Sequence, residues 1–237
     1  MYVFLSMRTY DLNSLCGRSC HSLHPIAGLS NSSASVSSPR RFPPHLYVSV
    51  AVIHIYTGST GPQGVTLIPM VARVSVVDYQ GSILLDTFVR PTHHVHSLRF
   101  LETNIQLSDV ANAPVFDEVR NRVASLIQGK IIVGHSLWMF LSRLKNMGLS
   151  HSTLETRDLA LFRPLRRKLH SSRIVDLPTL VYIYMGRKIG LGTEDSLENA
   201  RACIDLFRCC EVQFEDVIHV GAWPCDLPPT SYSQYFT

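Results

Sequence analysis

Between Ala72 and Thr92 the sequence reads ARVSVVDYQGSILLDTFVRPT, and this stretch leaves the chain few architectures. Val74, Val76 and Val77 lead into Gln80-Gly81, after which Ile83, Leu84, Leu85, Phe88 and Val89 form a second β-branched and aromatic run that Pro91 ends. Two such runs around a polar turn with glycine specify a β-hairpin. Both arms are too apolar for a ribbon with one face in water. The pattern therefore predicts a hairpin inside a larger sheet, with another layer over it.

The flanking segments supply that sheet and its cover. Leu46 to Tyr56, LYVSVAVIHIY, is almost continuously apolar and suits a central strand buried on both faces, followed by a Gly/Pro loop, TGSTGPQG, ahead of the hairpin. From Val115 the spacing turns helical: Val115, Val119, Val123, Leu126 and Ile127 share one side, Asp117, Glu118, Arg120 and Arg122 the other, and Gly129 closes the helix. KIIVGHS reads as a short buried strand entering a turn, and LWMFLSRLKNMG as a helix ending at Gly148. Farther on, RDLALFRPLRRKLHSSR reads as a basic loop or frayed helix, and IVDLPTLVYIYMG as a helix opened by Asp176 and Pro178. SLENARACIDLFRCCEVQFEDVI is a helix with Leu197, Ala200, Ile204, Phe207 and Phe214 along its core stripe. Strands and helices in this order describe a layered α/β domain, and 237 residues with 46% hydrophobic and 17% charged side chains suffice for its core.

Three segments follow: a Ser/Arg-rich extension expected to be disordered over 1–45, the folded domain over 46–218, and a Pro-rich tail over 219–237. The acid-poor N-terminus also has the composition of an organellar transit peptide, which keeps a mitochondrial destination open. No apolar run approaches the roughly 20 residues of a membrane helix, and no membrane partner is expected. The six cysteines lack C-x-x-C spacing, which fits a reducing compartment. A net charge of +4 and a pI near 8.8 permit a polyanionic partner without requiring one.

Taken together, ARVSVVDYQG, DTFVRPT, VHSLRFLETNI, VASLIQGKIIVGHSL, TRD at Thr156 to Asp158, and SLENARACIDLFR resemble the RNA exonuclease 4 family, a branch of the DEDDh 3′-5′ exonucleases. The resemblance covers roughly Tyr47 to Val217. It implies an RNase H-like three-layer α/β fold, with a mixed central sheet, an antiparallel hairpin and helices on both faces. It also implies nuclear or nucleolar RNA processing. In that family four carboxylates hold two Mg2+ or Mn2+ ions, one activating the attacking water and the other stabilising the leaving oxygen, while a histidine takes the water's proton.

The functional positions depart from that pattern. Where the family's first strand carries Asp-x-Glu, this chain has Ala51 and Ile53, and no acid lies between Asp11 and Asp78 to compensate through a shifted register. The acid after the GH turn falls on Phe140, and the last His and Asp fall on Glu194 and Asn199. Loss of even an outer-shell partner of a metal ligand costs on the order of 10- to 100-fold, and loss of a ligand itself no less. The expected reading is an exonuclease-like domain without catalytic residues, without metal cofactor, and open to RNA or a protein at the vacated cleft.

Two other readings stay open: an active 3′-5′ exoribonuclease, and a scaffold or small-molecule-binding domain unrelated to nucleic acid. Arg163, Arg166, Arg167, Lys168 and Arg173, with His170, form the densest basic run, which either tracks a phosphate backbone or keeps a loop in water. His93, His94 and His96 read as surface-loop residues, and His135 as a structural hydrogen-bonding residue. Glu194 and Glu198, one helical turn apart, read as a solvated helix start rather than a single-ion site. Trp138 and Phe140 are expected to fill the cleft.

Overall fold

The computed structural model describes residues 42–61, 64–138, 141, 151–167, 169–171 and 173–223. The expected extension therefore lies outside the described residues up to position 41, as does the tail from 224. So does most of the helix expected to end at Gly148, including Phe140.

A six-stranded mixed sheet carries the domain. Its strands are β1 (Tyr47–Gly61), β2 (Gly64–Asp78), β3 (Ile83–Phe88), β4 (Val95–Ser97), β5 (Ile131–Gly134) and β6 (Thr156–Asp158). They lie in the order β3-β2-β1-β5-β6, with β4 paired to the far half of β1. Pairing is antiparallel from β1 to β2 to β3 and parallel from β1 to β5 to β6, giving the expected mixed sheet around an antiparallel hairpin. The hairpin turn lies where the sequence put it. Asp78 Oδ1 accepts the N–H groups of Gln80 and Ser82 at 2.9 and 2.8 Å, and Gly81 takes a φ of 86° that a β-carbon would oppose.

Elsewhere, tertiary pairing overrides local composition. The expected Gly/Pro loop over TGSTGPQG is mostly strand, since β1 runs on to Gly61 and β2 begins at Gly64. Antiparallel partners hold Gly58 and Gly61 in the strand despite glycine's weak preference for it, while Gly64 opens β2 at a φ of 109°. Only the β2 arm of the hairpin at Ala72–Thr92 is deeply buried. β3 is the sheet edge and exposes Ile83 and Leu84. Arg157 and Asp158, expected to open a basic loop or frayed helix, instead form strand β6 with Thr156, too short for periodicity to reveal.

Besides two single 3-10 turns, Pro44–Leu46 and Thr153–Glu155, six α-helices are described: α1 (Phe100–Thr103), α2 (Leu107–Ala111), α3 (Phe116–Ile127), α4 (Arg163–Arg167), α5 (Leu177–Met185) and α6 (Ser196–His219). α1, α2 and α4 span barely a turn each, and α1 and α2 carried no helical signal. α3 buries Val119, Val123 and Ile127, whereas Val115 is its exposed N-cap. α5 starts as expected, with Asp176 accepting the Thr179 N–H at 2.9 Å, and ends at Gly186 in the left-handed region. α6 lies along β1, β2 and β5 and also packs against α5. Its predicted stripe of Ala200, Ile204, Phe207 and Phe214 is buried, and Phe214 stacks on Phe162 with centroids 4.1 Å apart.

One buried polar contact ties this core together. Arg157 on β6 and Glu215 on α6 are 0% and 3% exposed at the side chain and form a two-pronged pair, with Nε–Oε1 at 2.7 Å and Nη2–Oε2 at 2.8 Å. The Tyr47 hydroxyl donates to the same Glu215 oxygen at 3.0 Å. Removing two charges from water is tolerable only with this degree of hydrogen bonding. Burial and the facing Glu215 charge push the Tyr47 hydroxyl far above its ordinary pKa.

Candidate functional site

The register of β1 against β2 locates the site. Ala51 pairs with Ser75 and Ile53 with Arg73, and directly opposed residues of an antiparallel pair share a face. Ser75 Oγ lies 2.7 Å from Ser196 Oγ, and Arg73 Nη1 donates to Asp195 at 2.8 Å. Ala51 and Ile53 therefore belong to the face on which α6 begins. Glu194 precedes that helix, and Asn199 sits in its first turn, donating its N–H to the Asp195 carbonyl at 2.9 Å. The fold thus gathers four of the five positions singled out in the sequence. The fifth, Phe140, lies outside the described residues.

Ile53 is 1% exposed and packs in an apolar cluster with Ile55, Met70, Ala72, Ile105 and Val110. Two arginines hold the surrounding carboxylates. Arg73 grips Asp86 through Nε at 2.9 Å and Nη2 at 2.7 Å, while its remaining nitrogen reaches Asp195. Asp195 also caps α6 by accepting the Glu198 N–H at 2.9 Å. Burial pushes the Asp195 pKa up, but that N–H and Arg73 outweigh it and hold the group below its ordinary value.

Arg99 is the second hub. Its Nε donates to Glu102 at 2.5 Å, Nη1 to the His54 carbonyl on β1 at 3.2 Å, and Nη2 to Glu194 at 3.1 Å. The Glu194 N–H reaches the Glu102 carbonyl at 2.6 Å, drawing the loop before α6 against α1. Arg99 and Asn104 bracket α1 with φ of 53° each, a conformation that costs residues other than glycine roughly 1–2 kcal/mol. Glu194 and Glu198 do not converge, because Glu198 turns away to accept the Gly190 N–H at 2.9 Å. Among the described residues, no three His, Cys, Asp or Glu side chains come together as a ligand set.

Sequence reasoning passed over Arg73 and Arg99. The available signal was a cation on a strand otherwise made of core residues: Arg73 shares its face with Ser75, whose partner is Asp86. A charge on such a strand needs a carboxylate within reach.

Beside the site, the GH turn is anchored from below. Asp158 is fully buried and accepts the N–H groups of Ser136 and Ala160 at 3.0 Å each and that of Leu137 at 2.8 Å. Gly134 allows close packing there, since a β-carbon would meet Leu137 Cδ2 at 2.4 Å and the Val50 carbonyl oxygen at 3.1 Å. His135 Nε2 lies 2.8 Å from the Val175 carbonyl, and burial lowers the pKa of its ring. Trp138 is half-buried against the core.

The basic run does not form one strip. Arg163 and Arg167 lie one helical turn apart on the solvent side of α4, and Arg173 is exposed, but Arg166 is buried beside Leu165. Lys168 lies outside the described residues. His93, His94 and His96 are exposed, with His93 Nδ1 2.9 Å from Thr92 Oγ1.

No family model matches the chain. RNA exonuclease 4 of Mycosarcoma maydis is 32% identical over 186 residues, covering 78% of this chain and 47% of that protein. RNA exonuclease 4 of Kluyveromyces lactis is 31% identical over 169 residues, covering 71% and 55%. The chain thus spans about half the length of the curated relatives it matches. Among solved structures, the apo Pan2 pseudoubiquitin hydrolase-RNA exonuclease module of Saccharomyces cerevisiae superposes with a TM-score of 0.58 at 20% identity, over 81% of this chain and 34% of that one. The same module in complex with AAGGAA RNA gives 0.55 at 20% identity, over 78% and 34%. These likenesses establish the RNase H-like fold.

Proposed function

Because this chain belongs to the RNA exonuclease 4 family through its exonuclease domain, we propose that it keeps the domain as an RNA-binding module and has given up metal-dependent hydrolysis. The observation that carries this reading is the occupation of the site by guanidinium groups. A pair of divalent cations needs several hard oxygen ligands free to turn inward. Ala51 and Ile53 offer none, and Ile53 is sealed in hydrocarbon. Of the acids nearby, Asp86 and Asp195 are bonded to Arg73, and Glu102 and Glu194 to Arg99. The donors present do not fit two divalent ions.

RNA is the partner that the rest of the molecule favours. The Pan2 module with the same fold is solved with RNA bound, this chain carries a net charge of +4, and Arg163, Arg167 and Arg173 stand exposed. Binding that depends on such charges falls as salt rises, because added salt reduces the entropy gained when counterions leave the phosphates. The test measures binding of a fluorescent single-stranded oligoribonucleotide across a salt series, with calorimetric titration of Mg2+ and Mn2+ in parallel. Salt-sensitive RNA binding with no metal heat supports the proposal. A saturable two-ion metal isotherm overturns the metal half, and absence of RNA binding at low salt overturns the other.

A further inference from the structure

Arg73 and Arg99 use the same edge of the guanidinium differently. The Nε–Nη2 edge of Arg73 is filled by one carboxylate, with Asp86 bound through both oxygens at 2.9 and 2.7 Å. That edge has the shape of a single carboxylate or phosphate. At Arg99 the same edge is divided between two carboxylates from distant parts of the chain, Glu102 on α1 and Glu194 before α6, at 2.5 and 3.1 Å. Neither partner engages it in the paired geometry. The longer contact is the one made by Glu194, whose side chain is 35% exposed. Partly exposed pairs of this kind hold weakly and yield to competing ions.

The surroundings suit a nucleotide. Phe100 follows Arg99 in the sequence and is 49% exposed, and Leu101 and Leu191, 88% and 77% exposed, stand in the two segments that the Glu194–Glu102 contact joins. An exposed aromatic ring beside a cation is the pairing that holds a base and its phosphate in single strands.

We propose that Arg99 is a phosphate site for single-stranded nucleic acid which Glu194 masks in the free protein, acting as a latch that holds α1 against the start of α6. The nucleic-acid part rests on the RNA-binding reading above, whereas the latch stands by itself. An incoming phosphate takes the whole Nε–Nη2 edge, Glu194 is released to water, and the base lies on Phe100. No covalent bond changes.

The test uses the full chain, Glu194→Gln and Glu194→Gln/Arg99→Gln. Hydrogen exchange without RNA reads the latch through amides bonded in the closed form: Thr103 to Arg99, Asn104 to Phe100, and Glu194 to Glu102. Glu194→Gln is expected to speed their exchange several-fold. Anisotropy with a labelled single-stranded oligoribonucleotide reads the site. Glu194→Gln should tighten binding roughly two- to fivefold and steepen the log–log salt dependence by about one. The double variant should lose the gain. Unchanged exchange in Glu194→Gln, or a gain that survives loss of Arg99, overturns the proposal. If none of the three proteins binds RNA, the RNA reading and the phosphate site fall together, and exchange alone decides the latch.

Discussion

Glu215→Gln removes one charge from a site that holds two and leaves the side chain its shape. Arg157 is fully enclosed, so its guanidinium would remain charged with no counter-ion, and the amide nitrogen of the new side chain would face an arginine donor. Breaking a buried pair from one side costs about 3–5 kcal/mol. For a domain of this size, each kcal/mol lowers Tm by about 2–4 °C, so the variant should melt roughly 10 °C lower. Guanidinium chloride unfolding followed by far-UV circular dichroism measures the loss as a lower midpoint at constant slope. Replacing both partners, as Arg157→Met/Glu215→Leu, removes the desolvation along with the attraction but strands the buried Tyr47 hydroxyl, so it should lie about 1–3 kcal/mol below wild type and above the single variant. A loss below about 1 kcal/mol in the single variant, or a double variant worse than the single, would refute this account of the core.

Asp158→Asn should cost about 1–3 kcal/mol in the same assay, because three backbone N–H groups meet an amide with only one acceptor oxygen. Burial raises the Asp158 carboxyl to about 7, against backbone N–H groups that pull it down. The native state then keeps a proton that the unfolded chain has lost, so this group's contribution to stability falls as pH rises from about 4 through 7. Denaturant midpoints over that range should show a slope in wild type that Asp158→Asn lacks; equal slopes would reject the assignment. Gly134→Ala should cost about 1–3 kcal/mol through its clash with Leu137, read from thermal melts. Neutralising Arg163, Arg167 and Arg173 should weaken RNA binding and flatten its salt slope, whereas an unchanged slope would place the RNA elsewhere.

The sequence carried the frame because its longest signals were periodic. The hairpin at Ala72–Thr92, α3, α5 and α6 each repeat apolar residues over enough positions to outweigh local composition. It missed elements too short for a period: β6 over three residues and α1 over four. The strand through Gly58 and Gly61 was hidden for another reason, since only pairing with β2 holds those glycines extended. At the site, the unusual residues at Ala51, Ile53, Glu194 and Asn199 were visible one by one. What surrounds them was not, because Arg73 and Arg99 reach carboxylates 122 and 95 positions away through contacts that no local pattern encodes. The burial of Arg166 between the exposed Arg163 and Arg167 is likewise a tertiary fact, set by which side of α4 meets the core.

The most direct measurement follows the length of a 5′-labelled single-stranded RNA incubated with the purified chain and millimolar Mg2+ or Mn2+. The account predicts RNA that stays full length, with or without metal, while a mobility shift at low salt records its capture. A ladder of products shortened from the 3′ end, formed with either ion and abolished by chelation, would contradict it.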